Sequence, residues 1–265
     1  MLYLITNLSL EPNMNKVISI VTYTFNEEKN IQKLCTGIKI EMEKLNIEYE
    51  HIVIDNCSTD KTIPILKEIC FKDKKVKAII NAKNFGHLRS PFYGILQSKG
   101  DACILMASDF QDPLDLIPKY IQKWQKGAKI VLGKKTSSEE PRLIFFIRNL
   151  FYKFMNKISE TKLTENTTGS GIFDKSVINQ LKNINDPYPY LRGLLNELSE
   201  EISTVEFNQP KRLSGITKNN IFTLYDIGML GIIKHSRAPL RLVTFLGFVL
   251  SFFSILTAFI YFIYK

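Results

Sequence analysis

The sequence predicts an α/β fold built on a mainly parallel sheet with helices on both faces. Two observations carry this prediction: short β-rich runs alternate with amphipathic helical segments, and polar clusters follow the ends of the runs. A repeated strand–helix–strand succession gives parallel strands that are buried on both faces. Ligands bind such sheets at the carboxyl ends of the strands, so the polar clusters there are the first candidates for a site.

The elements follow in chain order. Runs rich in β-branched and apolar residues predict strands at 17–23, 51–55, 76–81, 102–107 and 129–133. Apolar residues at helical spacing predict the intervening helices at 28–46, 60–72, 88–99 and 113–125. In the less regular second half we expect a basic and aromatic helix at 142–160, a chain break at TTGSGIFD (167–174), helices near 175–183 and 190–199, and a strand at 202–210.

The carboxyl-terminal segment predicts a transmembrane helix. Residues 242–264 contain no charged side chain, and about 20 apolar residues are enough to span a bilayer. Three basic residues, Lys234, Arg237 and Arg241, precede this segment, whereas only Lys265 follows it. The positive-inside rule therefore predicts a single-pass protein of the inner (cytoplasmic) membrane with residues 1–241 in the cytoplasm.

Four regions are expected along the chain. They are an N-terminal extension (1–15), one domain (16–219), a juxtamembrane amphipathic segment (220–241) and the transmembrane helix (242–264). The juxtamembrane segment fits either a helix lying at the membrane interface or an ordinary packed helix. The N-terminus lacks the basic start and long apolar core of a signal peptide.

Composition narrows the function classes. The net charge of +9 makes anionic partners plausible, although most such lysines are simply solvated. The four cysteines are scattered without a C-x-x-C pair, which argues against a disulfide framework or a thiolate metal cluster. No G-x-G-x-x-G follows the first strand, so a dinucleotide-dependent oxidoreductase is excluded.

Polar clusters follow four of the predicted strands. They read, in order, TYTFNEEKNI, DNCSTDKT, NAKNFGHLRSPFYG and ASDFQDP. Each has a plain structural reading by itself, such as a helix start at Asp60 or a turn at Asn84 and Gly86. Four together, in this order and spacing, indicate one composite site.

On these residues the chain resembles glycosyltransferase family 2, whose nucleotide-binding domain has the Rossmann-like GT-A fold. Within the family it is most similar to the bacterial branch related to dolichol-phosphate mannose synthase, which loads a sugar onto a polyprenyl phosphate. The resemblance spans about residues 16–260. It rests on Phe25-Asn26-Glu27-Glu28, Asp55-Asn56-Cys57-Ser58-Thr59-Asp60, Asn84-Phe85-Gly86-His87, Asp109-Phe110-Gln111-Asp112-Pro113 and Arg212-x-x-Gly215-x-Thr217-Lys218.

The resemblance implies roles on the donor side. Phe25 and Glu27 would line the nucleotide pocket, and Asp55 would accept a hydrogen bond from the base. Asp109 and Gln111 would help hold a divalent cation, Mg²⁺ or Mn²⁺, on the donor diphosphate.

Further residues would surround the donor and the acceptor. Arg212 and Lys218 would close over the phosphates. The stretch that contains Asn84, Gly86 and Arg89 would line the donor pocket. The nucleophile would be an ionised phosphate oxygen of the acceptor, so no strong general base is required.

The fourth cluster departs from the family pattern Asp-x-Asp-x-Gln. In extended chain, positions 107, 109 and 111 would share one face, and the first of them is Ala107. One expected carboxylate is therefore missing. We expect Asp112 and Asp115 to cap the helix that follows, with Pro113 in its first turn, although Asp112 could instead face the acceptor.

The sequence favours a membrane-anchored transferase that moves a sugar from a nucleotide sugar to polyprenyl phosphate. The expected partners are these two substrates and the membrane, with no nucleic acid and with a homo-oligomer possible. Two alternatives stay open: a family 2 transferase acting on a glycan or lipid-linked intermediate, and a catalytically silent nucleotide-binding scaffold, which Ala107 would favour.

Overall fold

The computed structural model of the chain describes residues 16–137, 164, 167–199, 201–210 and 221–265. The expected N-terminal extension and the helix expected at 142–160 lie outside these residues.

The described strands form one seven-stranded sheet in the order β3-β2-β1-β4-β6-β5-β7. Parallel pairing joins β1 to β2, β1 to β4, β2 to β3 and β5 to β7, whereas β6 runs antiparallel to both β4 and β5. This confirms the mainly parallel sheet. The strands are β1 Ile18–Thr24, β2 Tyr49–Asp55, β3 Val76–Ile80, β4 Ala102–Ala107, β5 Ile130–Ser137, β6 Thr167–Asp174 and β7 Ser203–Asn208.

Strand β6 corrects the expected chain break at TTGSGIFD. Gly171 lets β5 approach closely, because a Cβ there would lie 2.2 Å from the Val131 carbonyl oxygen. The next two side chains, Ile172 and Phe173, are fully buried in hydrophobic clusters on opposite faces of the sheet. The segment is therefore a central strand that alternates between two cores.

Helices cover both faces, as the sequence predicts. One cluster contains Leu34, Leu66 and Tyr120 from α1, α2 and α4. The other is filled from α3, α5 and α6. The described helices are α1 Ile31–Leu45, α2 Thr62–Lys72, α3 Gly86–Leu96, α4 Leu116–Gln125, α5 Lys175–Asn183, α6 Leu191–Leu198, α7 Ile221–His235 and α8 Ala238–Tyr264.

Helix α8 contains the predicted transmembrane segment and begins four residues before it. Within the described ranges it is the one helix long and apolar enough to cross a membrane. None of its most apolar stretch is buried against the protein. Helix α7 shows ordinary packing at its carboxyl end, where His235 is buried. The carboxyl-terminal turn of α7, just before α8, therefore packs against the domain.

Candidate active site at the carboxyl edge of the sheet

The loops that follow β1 and β2 are joined by side-chain hydrogen bonds. Asn26 adopts a left-handed backbone, with φ of 57°, and its Oδ1 accepts from the Thr59 N–H at 2.7 Å. The Asn26 N–H donates to Ser58 Oγ at 2.8 Å, and the Glu27 N–H donates to Thr62 Oγ1 at 2.9 Å. Half-buried Phe25 and Glu27 lie in this joined pair of loops.

Asp55 ends β2 with no exposed surface. Its Oδ1 accepts from the Ser58 N–H at 2.8 Å, and its Oδ2 accepts from Ser58 Oγ at 2.5 Å. These bonds hold a tight turn in which Cys57 also has a left-handed φ of 66°. The carboxylate is thereby fixed in place next to the Asn26 loop.

Asn84 and Gly86 shape the loop between β3 and α3. Asn84 Oδ1 accepts from Asn56 Nδ2 and from the Gly86 N–H, each at 2.8 Å. Gly86 has a φ of 83°, which favours glycine. Arg89, one turn further on, lies over the rings of Phe85 at 5.2 Å and Tyr188 at 4.9 Å.

The loop after β4 does not continue the strand. It turns through Ser108–Gln111, with Phe110 at a left-handed φ of 61°. The expectation that positions 107, 109 and 111 share one extended face is therefore wrong. The turn brings Asp109 and Gln111 together instead, since Asp109 Oδ1 accepts from the Gln111 N–H at 3.1 Å.

Asp112 does not cap α4. Its Oδ2 accepts from the Ala107 N–H at 3.2 Å and from Ser170 Oγ, so the carboxylate bridges β4 to β6. Asp115 precedes α4 but makes no capping hydrogen bond, and its exposed carboxylate pairs with Lys119. The helix instead starts from a backbone turn, because the Leu116 and Ile117 N–H groups donate to the carbonyls of two preceding residues, Pro113 and Leu114.

Burial sets the protonation of Asp112. Its side chain is almost fully inaccessible, and desolvation raises the pKa of its carboxyl above the ordinary 3.8. Hydrogen bonds from Ser170 and Ala107 oppose that rise, while the nearby Asp109 charge adds to it. Two acidic groups therefore lie together at the end of β4.

The donor set here fits a divalent cation that is shared with a substrate. Asp109 and Gln111 offer a carboxylate and an amide oxygen, the hard oxygen ligands that Mg²⁺ and Mn²⁺ accept. Within the described ranges no three His, Cys, Asp or Glu side chains form a metal cluster. A cation at Asp109 would also offset the repulsion between Asp109 and Asp112. Asp109 and Gln111 could hold such an ion together with oxygen atoms of a bound substrate and water.

A family model described as glycosyl transferase family 2 matches residues 19–182, which include every strand-end loop described above. The chain belongs to glycosyltransferase family 2. It is 32% identical over 231 residues to the bactoprenol glucosyl transferase of Shigella phage SfV, covering 87% of this chain and 75% of that protein. It is 33% identical over 235 residues to the prophage bactoprenol glucosyl transferase homolog of Escherichia coli K12, covering 88% and 77%.

A solved structure has the same fold. Glucosyl-3-phosphoglycerate synthase from Mycobacterium tuberculosis, crystallised with Mn²⁺, uridine diphosphate and phosphoglyceric acid, superposes with a TM-score of 0.58. The two chains are 16% identical, with 87% of this chain and 82% of that chain covered. The GT-A architecture expected from the sequence is confirmed.

In the structure of this family 2 transferase, most of the predicted site residues lie in or next to the strand-end loops described above. Arg212 and Lys218 lie outside the described residues. Two groups that sequence reasoning missed are Ser170, the partner of Asp112, and Arg192 at the start of α6. The signal for Arg192 was a lone cation within the apolar and aromatic run YPYLRGLL.

Proposed function

We propose that this chain transfers a sugar from a nucleotide-sugar donor to a polyprenyl phosphate at the cytoplasmic face of the membrane. The observation that carries the proposal is the combination of a family 2 active-site edge and the exposed apolar helix α8 in one chain. One relative is named as a bactoprenol glucosyl transferase and another as a prophage homolog of such an enzyme, which supports a lipid acceptor.

On the donor side, the loops after β1 and β2 would bind the nucleoside and the loop after β4 would bind the cation. The Phe25–Glu27 loop and Asp55 would hold the nucleoside, and the two hydrogen bonds from Ser58 fix the position of the Asp55 carboxylate. Asp109 and Gln111 would hold the divalent cation against the diphosphate. The bound cation would supply electrostatic stabilisation of the charge that develops on the leaving diphosphate.

On the acceptor side, the chemistry asks little of a base. A phosphate oxygen of the acceptor attacks the anomeric carbon, the bond from that carbon to the diphosphate breaks, and the nucleoside diphosphate leaves with the electron pair. A phosphate monoester is largely ionised near neutral pH. The described residues need only align the acceptor and exclude water.

The orientation proposal rests on charge. Lys234, Arg237 and Arg241 precede the apolar core of α8, while Lys265 follows it. The positive-inside rule then puts the catalytic domain in the cytoplasm, where nucleotide sugars are available.

The test is a transfer assay on membranes containing the full chain. Labelled nucleotide sugars are incubated with undecaprenyl phosphate and a divalent cation, and label is counted in the chloroform phase. Label that appears only in a preformed glycan or lipid-linked oligosaccharide would favour the rival acceptor class. Absence of labelled lipid with every donor would contradict the proposal.

Asp109→Asn should strongly lower the rate of that transfer without unfolding the domain. The substitution removes the carboxylate that would hold the cation, so we expect kcat to fall by about 10²- to 10³-fold, the usual cost of one lost electrostatic stabiliser. Asp115→Asn is the matched control, because its exposed pair with Lys119 is worth little. Full activity of Asp109→Asn, with thermal melting unchanged in both variants, would refute the metal role of Asp109.

A further inference from the structure

Arg192 lies at the same edge of the sheet as Asp109. Its Nη1 donates to the Thr167 carbonyl oxygen at 3.3 Å. Strand β6 runs antiparallel to β4 with Gly171 opposite Leu105, so the first residues of β6 lie beside the loop that follows β4. The guanidinium therefore borders the reaction site, although it is 83 residues away from Asp109 in sequence.

A second basic side chain faces Arg192 from α3. His87 lies in the first turn of α3, and burial, followed by the positive charge of Arg192, lowers its pKa below the ordinary value. Arg89 follows on the same helix and lies over Tyr188. The starts of α3 and α6 thus place a permanently charged guanidinium near a histidine whose pKa is lowered.

Arg192 is also joined to the membrane end of the chain. Its guanidinium lies over the Tyr190 ring at 5.5 Å, and that ring contacts the His235 ring with centroids 5.5 Å apart. His235 is the last residue of α7, three residues before α8 begins. Its Nδ1 lies 2.8 Å from Glu197 Oε1, and Lys234 pairs with Asp186. A short series of contacts therefore joins the reaction edge to the start of the membrane helix.

We propose that Arg192 binds the phosphate of the lipid acceptor and orients it toward the anomeric carbon. This inference rests on the proposed function. A lipid phosphate must stay near the membrane boundary and still reach the sugar held at Asp109. Arg192 contacts Thr167 at the start of β6 and the Tyr190 ring, which in turn contacts His235 before α8. A guanidinium presents a planar pair of N–H donors that matches two phosphate oxygens.

Kinetics of the full chain in membranes separate an acceptor role from a structural one. In Arg192→Gln the KM for polyprenyl phosphate should rise by about tenfold or more, the cost of a lost charge-assisted hydrogen bond pair. The KM for the nucleotide sugar should stay within about twofold, because the donor contacts lie on other loops. Arg192→Lys should be intermediate, since it keeps the charge but not the planar fork. The matched control is Lys175→Gln, whose exposed amine lies at the opposite edge of the sheet beside Asp101.

A binding measurement keeps this inference separable from the proposed function. A short-chain polyprenyl phosphate is titrated into the detergent-solubilised full chain, with the matching polyprenol as the uncharged reference. We expect wild type to prefer the phosphate and Arg192→Gln to lose that preference, whichever reaction the enzyme catalyses. Equal binding of both lipids by wild type, or an unchanged preference in Arg192→Gln, would overturn the inference. An equal rise in both KM values would also overturn it, because it would mark a structural role.

Discussion

At the scale of the residue, the Asp112 carboxylate contacts the backbone of Ala107, the position where the sequence lacks an expected carboxylate. The sequence shows a missing carboxylate at position 107, and the structure places the Asp112 carboxylate against the Ala107 N–H. The loop bends back after Phe110, so an acid returns to the end of β4 from five residues further along. An acidic pair with Asp109 is thereby restored by folding rather than by strand alternation.

The raised pKa of Asp112 makes a prediction about stability. The folded state holds this proton more tightly than the unfolded state, so the contribution is full below the ordinary value of 3.8 and is lost as pH rises through the folded pKa. Above that pH the folded protein carries the cost of a buried carboxylate. Asp112→Asn removes that cost, and its side-chain oxygen can still accept from Ser170 and Ala107.

We therefore expect Asp112→Asn to melt at the same or a higher temperature than wild type at pH 8, with the difference shrinking toward pH 4. Thermal melts across this pH range measure it, with Asp115→Asn, which changes an exposed carboxylate, as the reference. A variant that melts well below wild type at pH 8 would show that the ionised carboxylate stabilises the fold. If sugar transfer falls while stability holds, the carboxylate serves the reaction.

At the scale of the element, two glycines allow close contacts that were not predicted from the sequence. Gly171 in β6 allows a strand where a break was expected. Gly193 in α6 makes room for the ring of His235, because a Cβ there would lie 1.7 Å from His235 Nε2. A small residue on α6 therefore sets where the end of α7 docks.

Gly193→Ala should undock that end of α7. The added methyl group forces the His235 ring out of its slot and breaks its contact with Glu197, so we expect overpacking to cost about 1–3 kcal/mol of unfolding free energy. The melting temperature should fall, and the KM for the lipid acceptor should rise.

Gly231→Ala is the matched control on α7 itself. Its Cβ would meet the Tyr190 ring at ordinary distances, the shortest being 3.7 Å. Alanine is also favoured over glycine in a helix by about 1 kcal/mol, so this variant should be at least as stable as wild type. Equal behaviour of the two variants would contradict the docking role of Gly193.

At the scale of the whole molecule, α8 is an apolar rod attached to a basic domain. None of its most apolar stretch is buried against the domain, and by length and composition the helix could cross a membrane. The net charge of +9 favours anionic partners for the chain as a whole.

Leu250→Arg tests the anchor. Leu250 lies near the middle of α8 with most of its side chain exposed, and a charge at the centre of a membrane helix costs about 2.5–3.5 kcal/mol of insertion free energy. We expect a larger fraction of the chain to be extracted from membranes by sodium carbonate. Leu240→Arg, beside Arg241 at the start of the helix, should stay in the membrane fraction. Retention of both variants alike would argue against a spanning α8.

The sequence by itself determined the parts of this protein that local pattern controls. Strand and helix periods located β1 to β4 and their helices, uninterrupted apolar character located α8, and strand-end polar clusters located Asp55, Asp109 and Gln111. Each of these signals lies within a few residues of the feature that it predicts.

Tertiary structure decided what depends on residues far apart in sequence. The antiparallel insertion of β6, the Ser170–Asp112 bond across 58 residues and the approach of Arg192 to His87 arise only when α6 and β6 pack beside β4 and α3. The docking of His235 on Gly193 likewise needs the two helices in contact. Local propensity carries no information about such partners, because their energies come from burial and hydrogen bonding in the assembled fold.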